Sequence, residues 1–228
     1  MIEAYIGGEY IGEKSIEGNE NLSDIKLVKK RYNKMLNHVE DVEQMIKEMQ
    51  PYITDKVKIS FDEWNVWESW YRESGVAEAI YAAKLLNMMM EKADELNIFC
   101  ACYFEMINEG GIKVNADSSC LMPMGTVFSI MSKHVNGRIY CADYHRGIMA
   151  TEKSDIITMT LLNDKFDKHK NFRLKKYGEQ PEITVYTAES IFPFSMFDKK
   201  TATAAVNEDM YVIDVPPHSI AVVEITKA

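Results

Sequence analysis

An α/β segment followed by an all-β segment is the fold class this sequence predicts. Three observations carry it. Residues 21 to 108 read helix, strand, helix, strand. Gly110 and Gly111 then break the pattern. From Arg138 onward, short strand-like runs follow one another with turn residues between them.

The first helix is predicted over "NLSDIKLVKKRYNKMLNHVEDVEQMIKEMQ", residues 21 to 50, as one long element or a broken pair. Ile25, Val28, Tyr32, Met35, Leu36, Val39, Val42, Met45, Ile46 and Met49 recur at spacings of three and four. Ser23 or Asp24 is the expected N-cap, and Pro51 ends the run. In "KVKISFDE", Val57, Ile59, Phe61 and Glu63 alternate with Lys58, Ser60 and Asp62, as in a strand. Residues 76 to 96 are rich in Ala, Leu, Met and Glu, which are strong helix formers. The apolar run "NIFCACYFEMIN", residues 97 to 108, reads as a strand covered on both faces. Two strands joined by such a helix form a parallel βαβ unit. Residues 123 to 137 are expected to hold one short helix, with Gly137 as its C-cap. Five strand regions are then expected: "RIYCADY", "DIITMTLLN", "NFRLKKY", "EITVYTA" and "MYVIDVPPHSIAVVEIT", with Pro216 and Pro217 between strands or at an edge.

Composition narrows the function. The chain has 228 residues, 46% of them hydrophobic, so a packed core is expected. The net charge of −9 disfavours nucleic-acid and anionic-membrane surfaces, which demand basic patches. No apolar run is long enough to span a bilayer, and the N-terminus lacks a signal-peptide pattern. Cys100, Cys102, Cys120 and Cys141 have neither disulfide-framework nor zinc-ligand spacing, so reduced thiols and a cytoplasmic setting are expected. His38, His134, His145, His169 and His218 are scattered and predict no metal site. The basic cluster at residues 165 to 176 predicts a solvated strand edge.

The chemistry gathers at the predicted strand ends: Asp62, Glu63 and Asn65 at one, Glu105 and Asn108 at the other. In α/β barrels the active site is built at such C-terminal ends. All three tryptophans, Trp64, Trp67 and Trp70, stand beside the first end. Carboxylates with aromatics suit a retaining glycosidase, in which one carboxylate attacks the anomeric carbon. A second, roughly 5 Å away, protonates the leaving oxygen. Strict alternation turns Glu63 into a barrel mouth and Asp62 outward toward helices. The plainer alternative is that the carboxylates begin a loop and the tryptophans pack an interface.

"ISFDEWNVW" resembles the nucleophile segment of glycoside hydrolase family 51, the α-L-arabinofuranosidases. "LLNMMMEKAD", "ACYFEMIN", "MPMGTVFSIMSKH" and "VPPHSIAVVEI" follow in that family's order, so the resemblance covers residues 55 to 228 well and residues 1 to 54 loosely. It implies the last two strands of a (β/α)8 barrel with their helices over residues 1–122, then an antiparallel β-sandwich over 123–228. It implies release of terminal L-arabinofuranosyl groups from arabinan or arabinoxylan fragments, with no cofactor and no metal. By motif, Glu63 matches the nucleophile and Trp67 an aromatic bordering the sugar. Glu105 and Asn108 match a sugar-contacting Gln-x-x-Asn, and Tyr5 weakly matches a sugar-contacting tyrosine. Glu105 departs from the pattern by adding a titratable group where the family has an amide.

The length is a second departure, since a (β/α)8 domain takes roughly 250 residues. The resemblance places the general acid/base after an earlier strand. Asn19 and Glu20 form an Asn-Glu pair, but no strand leads into it, and a solvated Glu near the helix start is the expected reading. The sequence therefore predicts a nucleophile without its acid partner. That partner would come from an N-terminal barrel fragment in trans or from a longer chain, and a homo-oligomer is the other assembly to consider. The competing prediction is a non-catalytic remnant or accessory interaction module.

Overall fold

Helix α1 runs unbroken over Ile25–Met49, in a computed structural model that describes residues 24–53, 57–66, 74–192 and 194–227. Its buried stripe of Val28, Tyr32, Met35, Leu36, Val39, Val42 and Ile46 follows the helical period. Asp24 caps it, accepting the Lys26 and Leu27 N–H groups at 3.1 and 3.2 Å. Pro51 falls in a 3₁₀ turn, Gln50–Tyr52, where the helix stops.

Strand β1 (Ile59–Trp64), helix α2 (Val76–Lys92) and strand β2 (Ile98–Tyr103) form the expected unit, with β1 and β2 parallel. Ile59, Phe61, Ile98, Ala101 and Tyr103 pack against the core shared by α1 and α2. The other face of this two-stranded sheet is uncovered among the described residues. Phe99 is 72% exposed there, so the expectation that residues 97 to 108 are covered on both faces is not met. A continuous apolar run signals two covering layers, and the helices supply only one.

A short hairpin that the sequence reading missed, β3 (Ile112–Val114) and β4 (Ser119–Leu121), follows β2. Helix α3 (Pro123–Met131) then buries Met124, Val127, Ile130 and Met131 in the same core as α1 and α2. It ends sooner than expected: Ser132, not Gly137, is its C-cap, and a 3₁₀ turn at Ser132–His134 follows.

The remaining strands are β5 (Arg138–Asp143), β6 (Ile148–Lys153), β7 (Ile156–Asn163), β8 (Lys170–Lys175), β9 (Glu182–Thr187), β10 (Asp198–Ala202), β11 (Ala205–Asn207), β12 (Met210–Val215) and β13 (Ser219–Thr226). Six make an antiparallel sheet in the order β10-β9-β13-β7-β6-β5, and three make a second, β11-β12-β8. Phe172, Ile213 and Val215 of the small sheet meet Ile157, Leu161, Val185, Ala221 and Val223 of the large one, as in a β-sandwich. The opposite face of the large sheet sends Leu162, Ile220 and Val222 into the helical core. Burial on both faces is why β7 and β13 are nearly continuous apolar runs. Pro216 and Pro217 lie between β12 and β13, where the chain leaves one sheet for the other. The basic strand β8 is a sheet edge, as its lysines predicted. Among the described residues no helix is long and apolar enough to cross a membrane.

Candidate active site

The ends of β1 and β2 lie side by side. Trp64 pairs with Tyr103, and its carbonyl accepts the Phe104 N–H at 3.1 Å. The pairing that leads there is irregular twice. Between the pairs Ile59–Ile98 and Ser60–Cys100, β2 carries one extra residue, Phe99. Between Phe61–Ala101 and Trp64–Tyr103, β1 sets both Asp62 and Glu63 opposite the single residue Cys102. A bulge of this kind re-aims side chains and resets alternation.

The second irregularity corrects the alternation argument. Ile59 and Phe61 face the helices, and Trp64 is again buried, but both intervening carboxylates are exposed. Asp62 does not turn toward the helices. Its Oδ1 is hydrogen-bonded by the Ser60 hydroxyl, which in turn contacts Cys100 Sγ at 3.0 Å. Glu63 is exposed because the bulge removes it from the buried face of Phe61, not because it follows Phe61's side. Cys102 stands near this group. Its thiol is pushed up, first by desolvation and then by the neighbouring Cys100.

Beneath the strand ends is an aromatic floor. Trp64 meets Tyr103 edge-on at 5.1 Å and stacks on Phe128 at 5.8 Å, and Tyr103 lies 5.2 Å from Phe128. Burial holds the Tyr103 hydroxyl well above the usual phenol range, so it stays protonated and donates to the Glu109 carbonyl at 2.6 Å. The same carbonyl accepts Asn65 Nδ2 at 3.1 Å, and Asn65 Nδ2 also donates to the Phe104 carbonyl at 2.8 Å.

Glu105 and Asn108 occupy the loop between those two carbonyls, and both are exposed. The Phe104–Glu105 peptide is cis. Asn108 adopts φ +62°; its N–H donates to Ile112 O, and its Oδ1 accepts the Val114 N–H, each at 2.8 Å. Gly110, at φ +106°, is packed so that a Cβ would meet Ser74 Oγ at 2.7 Å and Tyr103 Oη at 2.9 Å. A cavity of about 250 Å³ opens here, lined by Asn108, Gly110, Ile112, Lys113, Val114 and Met122. The fold thus brings Glu63, Glu105 and Asn108 to one end of the parallel pair. Tyr5 and Trp67 lie outside the described residues, as do Asn19 and Glu20. Among the described residues no three His, Cys, Asp or Glu side chains gather so as to hold a metal.

Sequence reasoning noted Asn65 at the strand end without giving it a role, and it missed Tyr103 and Glu109. An Asn directly after a strand carrying two carboxylates was the available signal, since a short amide there can bridge neighbouring loops.

Comparison with solved structures assigns the fold. The α-L-arabinofuranosidase from Thermotoga maritima, solved with arabinose, superposes with a TM-score of 0.69 at 15% identity, over 86% of this chain and 50% of its own. The family 51 α-L-arabinofuranosidase AbfB of Bifidobacterium longum gives 0.68 at 13%, over 95% and 51%. This chain has the fold of part of a family 51 arabinofuranosidase. The likeness to a GH30 xylanase C from Talaromyces cellulolyticus is smaller, with a TM-score of 0.52 at 13% identity over 77% of this chain and 42% of the xylanase. The chain spans about half the length of the arabinofuranosidases it matches. No protein-family model matches the sequence, and no curated protein matches it.

Proposed function

We propose that these residues are the nucleophile-bearing part of a retaining glycoside hydrolase acting on terminal α-L-arabinofuranosyl groups. In this reading β1 and β2 are the last two strands of a (β/α)8 barrel. Glu63 attacks the anomeric carbon, and a glycosyl ester forms as the bond to the leaving oxygen breaks. Water then cleaves the ester with retention. Asn108 and Glu105 contact the sugar, and Trp67 borders it. The observation that supports the reading best is the bulge at Asp62–Glu63. It exposes a carboxylate at the strand end, beside the loop of Glu105 and Asn108.

The general acid/base is supplied from outside the site described here, by further barrel residues in the same polypeptide or in trans. Such proton transfer is worth roughly 10²–10⁴-fold, so the 228-residue chain alone is expected to leave alkyl and xylan-linked arabinofuranosides uncleaved. Efficient hydrolysis by the purified chain would overturn that assignment. A cyclophellitol-type arabinofuranosyl probe tests the nucleophile directly. Modification of Glu63, abolished in Glu63→Gln, is the expected result. No labelling at saturating probe would favour the non-catalytic module.

A further inference from the structure

We propose that Asn65 is the positioning residue that sets Glu105 and Asn108 against Glu63. The proposal rests on the reading of Glu63 as nucleophile. Asn65 follows the bulge by two residues and sits where the chain leaves β1. Its amide holds three backbone groups and also hydrogen-bonds the Tyr103 side chain. Nδ2 donates to Phe104 O at 2.8 Å and to Glu109 O at 3.1 Å, while Oδ1 accepts the Val66 N–H at 2.7 Å. The two acceptors are the carbonyls that bracket Glu105, Met106, Ile107 and Asn108. One side chain on the nucleophile strand therefore holds both ends of the loop from the neighbouring strand.

The chemistry at this position is demanding. Two carbonyls need donors, and one N–H needs an acceptor. An asparagine amide supplies all three. An aspartate would turn a second acceptor on both carbonyls, and an alanine would leave them without a partner from this strand. Tyr103 is the second clamp, its hydroxyl reaching the same Glu109 carbonyl at 2.6 Å. The first residue of the loop is also tied to the same strand by its backbone, Phe104 N–H to Trp64 O at 3.1 Å, and the remaining bonds are internal: Ile112 N–H to Met106 O at 2.7 Å, Asn108 N–H to Ile112 O, and Val114 N–H to Asn108 Oδ1. They shape the loop, and Asn65 ties that shape to the strand bearing Glu63.

The test uses the 228-residue chain and its Asn65→Asp, Asn65→Ala and Tyr103→Phe variants. Amide hydrogen exchange is read first. In the Asn65 variants, Phe104, Asn108, Ile112 and Val114 exchange roughly tenfold faster or more, as the loss of a pair of hydrogen bonds implies. Amides of β7 and β13 keep their wild-type rates. Tyr103→Phe gives a smaller change at the same four positions. The arabinofuranosyl probe is read second: its half-saturating concentration rises about tenfold or more, while the final labelled fraction stays at the wild-type level. A role confined to general stability would instead speed exchange throughout the chain or lower the labelled fraction. Loop exchange within twofold of wild type, or an unchanged half-saturating concentration, overturns the proposal. If wild-type Glu63 takes no label, the hydrolase reading fails separately and the exchange rates alone decide the role of Asn65.

Discussion

Trp64 and Tyr103 meet edge to face, ring centroids 5.1 Å apart, directly below the segments that carry Glu63 and Glu105. Trp64 is the residue at which β1 returns to the core after its bulge, and it is only 6% exposed. Trp64→Ala is expected to cost about 3–5 kcal/mol through lost burial and the cavity left beside Phe128. Trp64→Phe keeps part of the stack and costs less. Denaturant unfolding monitored by circular dichroism checks both.

Glu63→Gln separates function from stability. The side chain is exposed, and exposed substitutions away from networks shift stability by less than about 0.5 kcal/mol. The expected outcome is an unfolding midpoint close to wild type with complete loss of probe labelling.

His134 predicts a pH dependence. It is 4% exposed, with Nδ1 at 2.8 Å from Thr151 Oγ1 and Nε2 at 3.2 Å from Thr160 Oγ1. Burial lowers its pKa to about 4, so the folded ring stays neutral where the unfolded ring, near 6.5, takes up a proton. Its contribution is complete above pH 6.5 and is lost progressively as the pH falls from 6.5 to 4, about 3 kcal/mol in all. Urea midpoints across that range should fall less steeply in His134→Gln than in wild type.

Lys84 predicts a buried-charge effect where the helices meet the sandwich. It is 5% exposed, and its Nζ lies 3.3 Å from both Leu36 O and Glu40 Oε1 and 3.9 Å from Asp164 Oδ2. Lys84→Ala deletes a buried stem and takes a cation from Glu40, which is half-exposed, and from Asp164, which keeps Lys165 at 3.1 Å, beside a cavity of about 500 Å³, and a loss of about 2 kcal/mol is expected. Lys84→Met keeps the apolar stem and should lose less, as thermal unfolding of the two variants would report.

Much was legible in the residues themselves because it is local. The 3.6-residue period of Val28, Tyr32, Met35 and Val39 marks α1, and Asp24 and Pro51 mark its ends. Helix α2 between two short apolar runs marks a parallel pair, and the order "FDEWN" through "PPHS" carries the family resemblance. Strands β6, β10 and β11 were missed. β10 and β11 are short and mostly exposed, so their identity comes from partners rather than from their own pattern, and β6, IMATEK, lacks the two-residue alternation that would mark it.

What only the tertiary structure decided is non-local. Two-residue alternation holds only while paired strands advance in step, and whether they do depends on the partner. The register against Cys102 therefore decides that Asp62 and Glu63 are both exposed, which the sequence read as opposite faces. The same holds for Asn65. Its own residue type says that it can bridge two carbonyls, but Phe104 and Glu109 are about 40 residues away and become its partners only because β2 lies beside β1.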